Sequence, residues 1–196
     1  MKEVENTISL YNVILHIIDN WEQTRDESGT KRELSILRNS IGRKYEESPD
    51  VWPIVFSMIP EKFLGKEDAT YEEKAIFLTL QLYSLGQQGS KEKRIRNYNK
   101  KYFDMGKSLS RLRTDDSVAL DKRFNRIITA KTFDAFAFHL IQMFKVAKSK
   151  ETLIVNFPQL CEDLRWLQMD KSKSIRLKWA KSYYREWQEK DSNIVR

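Results

Sequence analysis

The side chains best suited to binding chemistry are the lysines and arginines between Lys91 and Lys131. This stretch holds 13 Lys and Arg against five Asp and Glu, a net charge of +8, whereas the whole chain of 196 residues has a net charge of +7. The remaining residues therefore sum to −1. Positive charge confined to one segment favours a partner with regularly spaced negative charges. The sequence therefore predicts binding to a phosphate backbone.

The second half of this stretch has the apolar spacing of an amphipathic helix that begins after Ser117 as N-cap. Its buried stripe is formed by Leu120, Phe124, Ile127 and Ile128. Lys122, Arg123 and Arg126 project from the flank and the opposite side, with Lys122 and Arg126 one helical turn apart. Three charges on one helix can also be a solvated face without a ligand. The regional charge of +8 favours the binding interpretation.

Aromatic side chains interleave with the cations in the first half of the stretch. Tyr98, Tyr102 and Phe103 lie among six lysines and arginines between Lys91 and Lys101. Rings can stack on bases while cations neutralise phosphates, so the segment suits single-stranded nucleic acid. The alternative, that a ring anchors this loop to the core, is the favoured interpretation for Phe103.

No motif in the sequence predicts catalysis, a metal or a cofactor. Glycine-rich phosphate loops, cysteine–histidine zinc spacing and a serine nucleophile elbow are all missing. The two histidines, His16 and His139, are too few and too far apart in sequence for a clustered metal site. Cys161 is predicted to be buried and inert on an apolar helix face. We therefore expect no enzyme, no cofactor and no small-molecule substrate.

Composition places the chain among ordinary helical proteins. It is 40% hydrophobic and 32% charged, with six glycines and four prolines, which is little turn chemistry for many short strands. A single cysteine allows no internal disulfide, and no apolar run resembles a membrane span or signal peptide. We expect an all-α, cytoplasmic protein of about eight helices. It would form one helical domain over 1–196, with a possible N-terminal lobe (1–88), a basic linker (89–105) and a C-terminal lobe (106–196).

Capping residues predict where these helices begin. Thr30 with Glu33 and Thr70 with Glu73 form capping-box patterns, the second ahead of an apolar helix that Gly86 ends. The other predicted starts are Thr7, the Pro53 region within Ser48–Pro60, Thr132, Asn156 with Pro158, and Ser172, whose helix would end at Glu189.

Two further groups of cations lie outside the central stretch. The helix after Thr30 carries a smaller patch, interpreted mainly as solvated charge, which comprises Lys31, Arg32, Arg38, Arg43 and Lys44. The last helix carries six cations and no acid between Lys171 and Arg185. A basic amphipathic helix can bind a membrane, a partner helix or nucleic acid, and its spacing leaves these open.

Several motifs resemble one known family. GKSLSRLR contains Gly106, Ser108, Leu109 and Arg111, and Arg123 with Phe124 follow in the next helix. Together with ELSILRNS, AIFLTLQLYSLG, QLCEDLRWLQ and IRLKWAKSYY, they resemble the small subunit, CasB, of the type I-E CRISPR effector complex Cascade. The likeness runs from about Lys31 to Tyr184.

This resemblance implies a non-catalytic subunit of an RNA-guided complex. Its partners would be the backbone and large subunits, a second copy of itself, CRISPR RNA and target DNA, without a membrane. Base pairing by the guide supplies specificity, so the subunit would hold target and displaced strands through sequence-independent contacts. The predicted nucleic-acid-binding residues are Arg38, Lys107, Arg111, Arg113, Lys122, Arg123, Arg126 and Lys131. The alternative is a structural helical adaptor whose charge serves solubility.

Overall fold

Helices account for nearly all regular structure in the residues that the computed structural model describes, which are 9–88, 103–114, 116–149, 154–185 and the backbone of 96–97. Within these ranges lie nine α-helices: α1 Leu10–Gln23, α2 Ser28–Asn39, α3 Trp52–Met58, α4 Tyr71–Gln87, α5 Met105–Ser110, α6 Val118–Thr129, α7 Phe133–Ser149, α8 Phe157–Leu167 and α9 Ser172–Arg185. A 3-10 turn spans Glu61–Phe63, and β1 (Arg96–Asn97) pairs in parallel with β2 (Ile154–Val155). The predicted all-α class is confirmed.

Helix α4 forms the centre of the core because its apolar residues surround the helix. Every residue from Ala75 to Gly86 is buried, and α4 packs on α2, α7 and α8. Its start is the predicted capping box: Glu73 N donates to Thr70 Oγ1 at 3.0 Å, and Thr70 N donates to Glu73 Oε2 at 2.8 Å. Both orphan donors at this helix end are satisfied reciprocally. The prediction for Thr70 is confirmed.

The capping box predicted at Thr30 is wrong. Helix α2 begins at Ser28, and the Thr30 hydroxyl bonds that of Thr24 at 2.7 Å. Glu33 instead accepts a hydrogen bond of 2.7 Å from Nε1 of the buried Trp21. A buried indole N–H requires an acceptor, and this tertiary contact takes the carboxylate that a local cap would have used.

Other helix starts follow the sequence closely. Asn156 caps α8 with its side chain at 3.0 Å from Gln159 N, and Thr132 caps α7 at 3.2 Å from Ala135 N. Ser117 precedes α6 as predicted, but its hydroxyl bonds the backbone of the preceding turn instead of capping the helix.

The first helix begins at Leu10 after the extended residue Ser9, so its predicted start at Thr7 is wrong. The predictions for Tyr98, Tyr102, most of the basic linker and the end of the last helix at Glu189 fall outside the described residues. The division into two lobes stays a prediction, although α1 and α4 both pack directly on α8.

The C-terminal helices are joined through a buried carboxylate. Asp163 on α8 is 1% exposed and accepts hydrogen bonds from Lys178 Nζ at 2.7 Å, Trp179 Nε1 at 2.6 Å and Gln159 Nε2 at 2.9 Å. Two of these donors belong to α9. Burial of a charge is tolerated when donors surround it, so Asp163 fixes α9 on α8. Helix α9 in turn carries the contacts that position α5 and α6.

Candidate nucleic-acid interface

Helix α6 exposes three cations on its outer side because its inner side is packed against the core and α9. Phe124 and Ile127 are fully buried, and the Phe124 ring stacks on that of Tyr183 from α9 with centroids 3.9 Å apart and planes at 7°. The predicted buried stripe is thus confirmed. Lys122, Arg123 and Arg126 are all exposed, and we call them the α6 cationic face. Within the part of the chain that the structure describes, none of the three forms an ion pair.

A cluster at the start of α6 engages Arg113. Its guanidinium donates Nε to Asp121 Oδ1 at 3.1 Å and Nη2 to Asp121 Oδ2 at 3.0 Å, a bidentate pair. The same guanidinium lies 5.2 Å and 5.3 Å from the ring centroids of Tyr183 and Tyr184. The Tyr183 hydroxyl donates to Asp121 Oδ1 at 2.9 Å. Arg113 therefore has a carboxylate partner and two aromatic neighbours inside the protein.

This cluster also sets the charge of α6. Asp121 is the only carboxylate on α6, and Arg113 neutralises it. Burial, followed by the bond to Asp121, raises the pKa of the Tyr183 hydroxyl well above its ordinary value, so it stays protonated as a donor. Asp121 is therefore paired with Arg113 and not with the α6 cationic face. The Nε and Nη2 donors of Arg113 are engaged by Asp121.

Helix α5, which contains the first half of GKSLSRLR, is docked tightly on α9. Asp104 caps it by accepting from Lys107 N at 2.9 Å, and also accepts from Ser182 Oγ on α9 at 2.7 Å. Burial raises the pKa of the Asp104 carboxyl above its usual range. Gly106 lies against the Trp179 backbone so closely that an added Cβ would be 2.1 Å from the Trp179 carbonyl oxygen. Only glycine fits at this contact.

Two predicted site residues leave this docked helix toward the surface. Lys107 is half-buried, with its ammonium 5.8 Å from the ring centroid of Phe103. Arg111 is half-buried at the end of α5, and its buried Nε has no hydrogen-bond partner among the described residues. A buried unpaired donor on an arginine costs free energy unless a ligand or water supplies an acceptor. Phe103 is 3% exposed, which confirms its predicted role as an anchor.

Arg38 belongs to another part of the surface. It is half-buried on α2, its Nη1 lies 3.4 Å from the Ser84 carbonyl oxygen of α4, and burial lowers its pKa. Around it, several cations of the smaller patch have carboxylate partners. These ion pairs are Lys31–Asp26, Arg43–Asp50 and Lys44–Asp134. Pairing of this kind is typical of solvated surface charge, as the sequence indicated.

The sequence did not place any residue of α9 in the site, yet α9 extends the α6 cationic face. The Tyr184 hydroxyl donates to Asn125 Oδ1 on α6 at 3.0 Å, so the two helices meet along this line. Lys181 lies one turn before Tyr184 and Arg185 follows it, and both are exposed. No sequence signal identifies this extension of the cationic face, because it depends on which side of α9 contacts α6.

Lys131 is exposed in the turn between α6 and α7 and forms no ion pair with a described residue. Thus Lys122, Arg123 and Arg126 lie together, Lys107, Arg111 and Arg113 lead to them through α5 and its turn, and Lys131 follows the far end of α6. Arg38 is carried by a different helix pair. The eight predicted residues therefore do not form one compact group.

Cys161 is fully buried, and burial raises the pKa of its thiol, which disfavours the reactive thiolate. Among the described residues no group of three or more His, Cys, Asp or Glu could hold a metal ion. No helix in the described ranges combines the length and apolar character needed to cross a membrane.

Comparison with known proteins identifies the family. The family model of the CRISPR-associated protein Cse2 matches residues 33–184, which is most of the chain. The chain therefore belongs to the Cse2 family of CRISPR-associated proteins. This confirms the resemblance to CasB, and its range agrees closely with the motifs that carried it. A search of proteins with curated functions finds no match.

Solved structures support the same fold. CasB from M. ruber superposes with a TM-score of 0.68 at 20% identity, covering 91% of this chain and 94% of that one. CasB from Thermobifida fusca gives 0.64 at 16% identity, covering 89% and 94%. A Cse2-family protein from Thermus thermophilus gives 0.63 at 22% identity, covering 86% and 96%. At these identities the likeness establishes the fold alone.

Proposed function

We propose that this protein is the non-catalytic small subunit of a Cascade complex and that its α6 cationic face binds the backbone of target and displaced DNA strands, stabilising the R-loop. The observation that carries the proposal is a set of three exposed cations, without ion pairs among the described residues, on a helix held by the stacked Phe124 and Tyr183 rings. Cations fixed on a rigid helix lose less conformational freedom on binding than cations on a loose segment.

The chemistry suits a sequence-blind role. Lysine and arginine contacts to phosphate carry no base information, and in RNA-guided recognition the guide supplies it by base pairing. Lys107, Arg111 and Lys131 extend the contact on either side of α6. Arg113 belongs to the site as a positioning residue, since Asp121 occupies its guanidinium. Arg38 would make a separate contact from α2.

The proposed partners follow from family membership. They are the backbone and large subunits of the complex, a second copy of this chain, CRISPR RNA and target DNA in the cytoplasm. We propose neither a small-molecule substrate nor a membrane partner. A structural adaptor without nucleic-acid contact is the competing function, and the same experiment separates the two.

The test is charge reversal in the assembled complex. We compare the double variant Arg123→Glu/Arg126→Glu with a matched control, Lys66→Glu/Lys173→Glu, which reverses two exposed cations away from α6. Each phosphate contact contributes about 0.9 to the slope of log affinity against log salt, which at 0.1 M salt corresponds to roughly eightfold in affinity. Loss of two contacts should therefore weaken DNA binding roughly 60-fold, for every sequence tested, and flatten the slope by about two units.

The control variant should bind DNA with nearly the affinity of the wild type, and all proteins should have the same helix content by circular dichroism. Equal weakening in both double variants would mean that only total charge matters, and the site would be wrong. Unchanged DNA affinity in the α6 variant, with complex assembly intact, would favour the structural adaptor.

A further inference from the structure

A separate cavity of about 330 Å³ lies where the turn between α6 and α7 meets the starts of α4 and α9. Its size is in the lower range of small-molecule sites. Most of its lining side chains are polar, and they come from four places in the sequence. The polar lining includes Lys74, Lys131, Thr132, Asp134, Ser172 and Arg176.

The cavity has uncompensated positive charge. Asp134 forms an ion pair of 2.8 Å with Lys44, and Lys74 forms one of 2.6 Å with Glu46, so these two lining charges have partners from outside the lining. Lys131 and Arg176 form no ion pair with any residue that the structure describes. Two cations therefore face the cavity without a carboxylate to offset them.

Arg176 is held in a fixed orientation at the wall. Its Nε donates to Ser172 Oγ at 3.1 Å, and its Nη1 donates to the Ile128 carbonyl oxygen at 2.6 Å, which caps the end of α6. The guanidinium also lies 5.6 Å from the Phe136 ring centroid. Its remaining terminal nitrogen, Nη2, makes no hydrogen bond to a described residue. A preorganised arginine with one free edge is suited to an anionic oxygen.

The start of α7 adds donors to the same wall. Thr132 is its N-cap, and Phe133 and Asp134, the first two helical residues, also line the cavity. The first backbone N–H groups of a helix have no intrahelical partner, and the helix dipole favours an anion there. These donors support the cations but would not define a site without them.

We propose that this cavity binds a phosphate monoester, carried by a mononucleotide or by the end of a nucleic-acid strand, with Lys131 and Arg176 as its cationic ligands. Tyr71, which lines the cavity and is 49% exposed, offers a ring on which a base can stack. The inference does not depend on the α6 cationic face, because it concerns a discrete cavity with its own cations. Lys131 belongs to both proposals, since it lines this cavity and also lies at one end of the extended DNA contact.

The test is a titration of the ¹⁵N-labelled protein followed by amide chemical shifts at constant ionic strength. The probes are inorganic phosphate, adenosine 5′-monophosphate, and a dinucleotide with and without a 5′-phosphate. We expect saturable shifts centred on Thr132, Asp134 and Ser172 for probes with a phosphate monoester. Lys131→Glu should weaken this binding about tenfold or more, as for loss of a charged hydrogen bond. Lys173→Glu, an exposed lysine outside the cavity lining, should bind as the wild type does.

The arms of the experiment separate the sources of the phosphate. Tighter binding of the 5′-phosphorylated dinucleotide than of the mononucleotide identifies a strand end. Inorganic phosphate that binds as tightly as the mononucleotide identifies the free anion. The proposal is overturned if shifts are not saturable, if they spread over exposed cations generally, or if Lys131→Glu and Lys173→Glu weaken binding equally. Arg123→Glu/Arg126→Glu should keep the monophosphate affinity while losing DNA binding, so failure of either proposal is visible separately.

Discussion

Replacement of Gly106 by alanine tests whether the docking of α5 on α9 supports the binding surface. A Cβ at this position would lie 2.1 Å from the Trp179 carbonyl oxygen and 2.8 Å from its Cα. Trp179 cannot easily yield, because its side chain is fully buried and its Nε1 is bound to Asp163. The two helices must therefore separate.

The size of the effect follows from the geometry. A carbon–oxygen contact of about 3.3 Å is the normal lower range, so relief of the 2.1 Å contact requires a shift of about 1 Å. Overpacking of this kind costs about 1–3 kcal/mol and sometimes more. We expect Gly106→Ala to lower the free energy of unfolding by about 2–3 kcal/mol, net of the small gain in helix propensity from alanine.

Gly29→Ala is the matched control. Gly29 lies in the first turn of α2, and an added Cβ would meet nothing within 4 Å. Alanine should therefore stabilise the protein by about 0.5–1 kcal/mol, because it restricts the unfolded chain without a clash. Urea unfolding followed by circular dichroism at 222 nm measures both variants. The reasoning fails if both free energies change in the same direction, or if Gly106→Ala is within about 0.5 kcal/mol of the wild type.

Two carboxylates at the same junction give further predictions. Asp163→Asn should lower the free energy of unfolding by about 2–3 kcal/mol, since Lys178 and Trp179 would face an amide instead of a carboxylate; a loss under about 0.5 kcal/mol in urea unfolding would contradict it. Asp104 has a raised pKa in the folded protein, so the folded state takes up its proton first as the pH falls. Stability of the wild type relative to Asp104→Asn should therefore rise as the pH falls from above the raised pKa to the ordinary carboxyl pKa, and level off below it. Parallel pH profiles of the two proteins would refute this.

The sequence correctly predicted helix caps that depend on neighbours along the chain. It gave a wrong prediction where a residue distant in sequence determines the hydrogen bonding. Thr70 with Glu73 and Thr30 with Glu33 have the same local pattern, yet only the first forms a capping box. The difference is Trp21, whose indole N–H requires the Glu33 carboxylate. Local capping contributes about 1 kcal/mol, which is similar to the cost of one unsatisfied buried donor, so tertiary contacts can reverse it.

The candidate site divides in the same way. The apolar stripe of α6 sufficed to place Arg123 and Arg126 on an exposed side. The stripe did not distinguish these two arginines from Arg113. The contacts of Arg113 with Asp121 and with two rings of α9 depend on tertiary packing. The sequence also could not predict that position 106 requires glycine, since this depends on how closely α9 approaches α5.

The contrast between Arg113 and the α6 cationic face shows how one charged segment can both stabilise the fold and expose cations at the surface. The Arg113 and Asp121 side chains are only 16% and 27% exposed, so solvent screens their pair weakly and it holds the entry of α6 against α9. Without this pair, Asp121 would be free to offset the positive charge of neighbouring side chains on its own helix. In the proposed site, Arg113 would strengthen the α6 cationic face by neutralising Asp121. An exposed cation near a phosphate then binds without first breaking an internal ion pair, which is what sequence-independent contact requires.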